Sequence, residues 1–146
     1  MNLLLIKFLK KEFIEVPDLG FGPARIMIRH GGNGFPLLLI HGNPMNQLTW
    51  HKIVPDLIKK HYVILVDIRG YGDSVGPKNG GINHINYSFR AMGNDFDYII
   101  SKLGFKTFSE WIDESYDTEV DYEVRMSKIH NEIKRISNFS IKEMDE

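Results

Sequence analysis

Phe35-Pro36-Leu37-Leu38-Leu39-Ile40-His41-Gly42-Asn43-Pro44 reads as a strand that ends in a tight turn. The four consecutive aliphatic residues Leu37 to Ile40 predict a short strand buried on both faces. His41-Gly42-Asn43-Pro44 stops it. Gly42 can take backbone angles closed to other residues, and Pro44 has no N–H for a ladder. A strand, a glycine turn and a following helix would leave backbone N–H groups at the strand's carboxyl end. In open α/β sheets that is where ligands bind.

Downstream, Trp50, Ile53, Val54, Leu57 and Ile58 fall at helical spacing and predict a helix with Thr49 as its cap. Pro55 should kink or restart it. Tyr62 to Val66 is a second continuous apolar run, read as a second buried strand. Strand, helix and strand within this span make a parallel crossover unit. Asp67 to Gly81 is glycine-rich and follows the second strand. Ser88 then caps a helix with the stripe Phe89, Met92, Phe96, Ile99, Ile100 and Leu103, and Gly104 ends it. Phe105 to Phe108 reads as the start of a further strand.

Upstream, Phe8 to Val16 and Arg25 to Arg29 predict two strands separated by the turn 17–23. They should pair as an antiparallel hairpin at the sheet edge. His30-Gly31-Gly32-Asn33-Gly34 reads as a second turn. A strand follows these glycines, so a phosphate cradle, which needs a following helix, is disfavoured.

The motifs occur in a family's order. His41-Gly42-Asn43-Pro44 resembles the oxyanion-hole loop of α/β-hydrolases. Trp50, Pro55 and Leu57 fit the same family, as do Asp67-Ile68-Arg69-Gly70-Tyr71-Gly72-Asp73-Ser74 and Tyr87-Ser88 with Arg90, Met92 and Asp95. Together they resemble the haloacetate (fluoroacetate) dehalogenase and epoxide hydrolase branch, from about Ala24 to Phe108. The resemblance implies the sheet order one, two, four, three, five. It therefore implies an incomplete α/β-hydrolase sheet, an edge hairpin plus a parallel strand–helix–strand unit, followed by a divergent helical tail. Without a fifth strand, Leu37 to Ile40 would form an apolar edge open to self-association.

Charge marks the same boundary. Residues 1–108 hold thirteen Lys/Arg and eight Asp/Glu, a net +5, and residues 109–146 hold five and eleven, a net -6. We therefore read 1–108 as the N-terminal part of a hydrolase domain and 109–146 as an acidic, helical tail. In that tail Tyr122, Met126, Ile129, Ile133 and Ile136 follow one amphipathic stripe. The run of acids from Asp113 lacks the central glycine and final glutamate of a calcium loop.

The total charge of -1 gives no reason to expect nucleic acid or an anionic membrane as partner. Leu3 to Ile6 is too short for a signal-peptide core, and no stretch approaches a membrane span. The absence of cysteine excludes disulfides and a thiol nucleophile, and it suits a reducing cytoplasm. The histidines show no His-x-x-x-His spacing, so neither a metal nor another cofactor is expected.

In this branch, the resemblance implies, an aspartate on a glycine-flanked turn after the next strand attacks carbon, and a late histidine with an acid helps water release the ester. The matching stretch, 105–115, has no glycine. Asp113 is the nearest aspartate and Ser109 the nearest serine, but neither has the required neighbours. His130 falls on the predicted tail helix with no acid partner.

What carries over is support machinery. Asn43 matches the oxyanion or leaving-group position, and its side-chain amide suits a halide. One well-placed donor of this kind is worth roughly 3 kcal/mol in the transition state. His41 buttresses the loop with Gly42 and Pro44. Asp67, Arg69 and Tyr71 belong to a conformational loop in which a buried Asp–Arg contact is expected. Trp50 is read as core. Asp73-Ser74 resembles a nucleophile only superficially. The expected ligand is a halogenated acid, an epoxide or an ester. Three readings stay open at this point: a relative of carbon–halogen or epoxide hydrolases that is inactive alone, a non-catalytic binding or interaction module, and a truncated or frame-shifted fragment.

Overall fold

A computed structural model describes residues 6–106 of the chain. Four strands form one mixed sheet: β1 (Lys10–Val16), β2 (Ala24–Gly32), β3 (Phe35–Ile40) and β4 (His61–Val66), in the order β1-β2-β4-β3. β1 and β2 are antiparallel, as are β2 and β4, whereas β3 and β4 run parallel, with Leu37 opposite Val63 and Ile40 opposite Val66. The edge hairpin and the parallel crossover are both present, and the order is the one implied for the family's first four strands.

Several local expectations need correction. β1 begins at Lys10, because Phe8 lies in a 3-10 turn, Ile6–Phe8. β2 runs on through His30, Gly31 and Gly32, which composition assigned to a turn. The reason is pairing on its second side: Gly31 faces Val63 and Gly32 faces Tyr62 on β4. Gly32 is required there, since it has φ +99° and an added Cβ would stand 2.4 Å from the His61 carbonyl oxygen.

β3 is not buried on both faces. Leu37, Leu38 and Leu39 are half-buried and Ile40 is 44% exposed. The fully enclosed strand is β4, where Val63 to Val66 lose all contact with solvent. β4 has a strand on each side, whereas among the described residues β3 has β4 alone.

The expected first helix is broken into a 3-10 turn, Gln47–Trp50, and a single turn, α1 (Val54–Leu57). Pro55 sits at the start of α1, where its missing N–H is harmless, so it restarts the helix. The cap is Asn46, whose side-chain oxygen accepts from the Leu48 N–H at 2.9 Å, and not Thr49. α2 (Phe89–Lys102) is capped by Ser88 Oγ, which accepts from the Ala91 N–H. At its other end Phe105 N–H bonds the Ile100 carbonyl and Gly104 N–H the Ser101 carbonyl, with Gly104 at φ +84°. Phe89 is 92% exposed and so lies off the buried stripe. Ala91, Phe96, Ile99 and Ile100 are buried, and Phe96 and Ile99 pack with Ile14, Val16, Ile26, Ile28 and Val66.

Near the amino end of β4, Glu12, His30 and Tyr62 link three strands. His30 Nε2 lies 2.9 Å from Glu12 Oε2 and its Nδ1 lies 2.5 Å from the Tyr62 hydroxyl. The Tyr62 ring also packs on Phe105, the centroids 4.9 Å apart. The expected strand start at 105–108 and the boundary after Phe108 extend beyond the described residues.

Candidate functional site

Two loops leave the carboxyl ends of the parallel strands: 41–46 from β3 and 67–74 from β4. Hydrogen bonds knit them together. His41 is buried, and the Ile68 N–H donates to its Nε2 at 3.0 Å. That nitrogen is therefore an acceptor, and the proton resides on Nδ1. Nδ1 donates to the Gly42 carbonyl at 2.9 Å, and the Met45 N–H donates to the same oxygen at 2.8 Å.

This arrangement fixes the next peptide. The loop's cis bond is Asn43–Pro44, and the Gly42–Asn43 peptide is trans. In a trans peptide the C=O and N–H point opposite ways. Two donors hold the Gly42 oxygen on the protein side, so the Asn43 N–H is turned away from them. Among the described residues nothing accepts from it. The Asn43 side-chain oxygen accepts from the Tyr71 hydroxyl at 3.0 Å, and the Tyr71 ring stands edge-on to His41 at 5.5 Å. Asn43 itself is exposed. The exposed loop thus carries a backbone N–H with no acceptor among the described residues.

Asp67 holds the two loops in register. Its Oδ1 accepts from the Gln47 N–H at 2.8 Å and its Oδ2 from the Asp73 N–H at 3.0 Å. The buried Asp–Arg contact exists, but between other elements than expected. Arg69 pairs with Asp95 of α2 through two bonds of 2.6 and 2.7 Å, and its Nη1 donates to the Phe21 and Asn86 carbonyls. Both partners are buried, at 2% and 1% side-chain exposure. Burial pushes the Asp95 carboxyl above its usual range, and the Arg69 guanidinium pulls against that rise.

Ser74 is fully engaged: its hydroxyl donates to the Asp67 carbonyl and accepts from the Met27 N–H. Trp50 is half-buried rather than core. An open groove of about 740 Å³, lined by Glu15, Asp18, Arg25, Lys78, Asn79 and Asn86 among others, includes no residue of either loop. Among the described residues no cluster of His, Asp or Glu is arranged to hold a metal. Asp113, Ser109 and His130 lie outside the described residues.

Sequence reading gave no role to Gln47, Met45 or the Ile68 amide, because backbone donors leave no side-chain signature. Asp95 did carry a signal. It is an acid adjoining the apolar stripe of α2, which implies a buried partner.

The alpha/beta hydrolase fold family matches residues 36–111, more than half of the chain. The chain belongs to that family. It is 45% identical over 78 residues to fluoroacetate dehalogenase of Burkholderia sp, and 36% identical over 74 residues to soluble epoxide hydrolase of Corynebacterium sp. (strain C12). Those stretches cover 53% and 51% of this chain but 25% and 24% of the relatives, so the chain spans about a quarter of their length. Among solved structures, ALR0039 from Nostoc sp PCC 7120 superposes with a TM-score of 0.62 at 39% identity, over 68% of this chain and 32% of that one. The matched family region contains both loops, 41–46 and 67–74.

Proposed function

We propose that the chain supplies the anion-stabilising loop of a hydrolase acting on carbon–halogen, epoxide or ester bonds. Alone it binds a small ligand of that class without turning it over. One observation carries this reading: the Gly42 carbonyl is held by two donors, which turns the Asn43 N–H outward. Such a donor stabilises an oxyanion or a departing halide. The names of the two relatives, a fluoroacetate dehalogenase and an epoxide hydrolase, supply the carbon–halogen and epoxide classes. The missing chemistry is the nucleophile, since Asp113 lacks the glycines that would lift its carboxylate clear of a sheet. In cellular terms the chain then acts as a binding module, and its cysteine-free composition suits the cytoplasm.

Fluorine NMR of fluoroacetate mixed with the full chain tests both halves. The expected result is broadening of the fluoroacetate line in proportion to protein, with no fluoride line appearing. Fluoride production would overturn the inactive half of the proposal, and an unbroadened line would overturn the binding half.

A further inference from the structure

We infer that Tyr71 is a positioning residue whose hydroxyl turns the Asn43 side-chain amide so that its N–H end faces a small monovalent anion. This rests on the anion-donor reading of the Asn43 loop given above. An amide side chain on an exposed turn has two faces of opposite character: an oxygen that repels anions and an NH2 group that attracts them. Among the described residues the amide's one hydrogen bond is to Tyr71, whose hydroxyl donates to the Asn43 oxygen at 3.0 Å. With the oxygen so occupied, Nδ2 is the outward end, and among the described residues it has no acceptor.

The tyrosine is itself held. Its N–H donates to the Ile68 carbonyl at 2.8 Å, and its own carbonyl accepts from the Ser74 N–H at 2.9 Å. Its ring also packs on buried His41, the ring planes 62° apart. His41 and Tyr71 thus act on the two donors of one residue. His41 sets the backbone N–H through the Gly42 carbonyl, and Tyr71 sets the side chain.

Bromide is the probe, titrated at constant ionic strength into the 15N-labelled full chain and followed at the Asn43 backbone and side-chain amides. Y71F should weaken bromide binding roughly fivefold, the factor of one ordinary hydrogen bond. N43A should weaken it at least as much. The double variant should be no weaker than N43A, because Tyr71 acts only through that side chain. Additive losses overturn the inference.

A bromide-free readout separates this from the anion reading itself. In Y71F the 15N heteronuclear NOE of the Asn43 Nδ2 group should fall, and an unchanged value overturns the positioning role. If Y71F disturbs the fold, N43A in the otherwise native chain should shift the Tyr71 ring Cζ resonance, and a static resonance is equally fatal. Absence of any bromide response in the native chain would remove the anion reading, while the NOE still decides what Tyr71 does.

Discussion

Gly72 shows how little freedom the site's residues have. Its φ is +53°, and a Cβ there would sit 2.2 Å from Asp67 Oδ2, the oxygen that receives the Asp73 N–H. G72A therefore strains the backbone and displaces the carboxylate that joins the two loops. It should destabilise the chain by more than about 1 kcal/mol, read as a lower urea midpoint. Arg69 and Asp95 set a larger stake. Removing either leaves the other charged and buried, so R69A or D95A should cost about 3–5 kcal/mol, whereas an apolar pair of similar volume should cost far less. Urea unfolding of the two single variants and of R69M/D95L checks the ordering. The motif pointed to these residues but not to their pairing. Asp67 and Arg69 are close in sequence, yet their side chains serve different elements, and only the fold brings Asp95 to Arg69.

At the scale of elements, hydrophobic runs located β3 and β4 well and predicted the burial of β4, but they overstated the burial of β3. Four aliphatic residues in a row look the same whether the strand is central or peripheral. What separates them is the number of neighbours, which is a property of the sheet. β4 lies between two strands, and β3 has one among the described residues. We propose that copies of the chain pair through Leu37–Ile40. Sedimentation should show a species larger than the monomer that dissociates when Leu39 becomes lysine. A wild-type monomer at all concentrations contradicts this.

The hairpin element carries a pH signature. The His30 hydrogen bond, and after it the one from Lys10, hold the Glu12 carboxyl below its usual range. A carboxylate with a depressed folded pKa stabilises the fold above its unfolded pKa, about 4.3. That contribution disappears as pH falls through the folded value. Wild type should therefore exceed E12Q in urea midpoint at neutral pH, and the two should converge in acid. A difference that persists unchanged at low pH would contradict the assignment.

For the molecule as a whole, the order β1-β2-β4-β3 brings the ends of β3 and β4 side by side, so both loops emerge at one edge. The general rule for α/β sheets places ligands there. The family and this placement were legible because the turn residues of both loops are spelled out in sequence. The direction of the Asn43 N–H was not legible, because it depends on a histidine tautomer set by an amide 27 residues away.

The most direct test follows the Asn43 backbone amide proton during bromide titration of the full chain, beside H41A. The account predicts a saturable shift at Asn43 in the native chain, largely lost in H41A, where the Gly42 carbonyl loses one of its two anchors. An Asn43 amide that ignores bromide, or responds equally without the histidine ring, would contradict it.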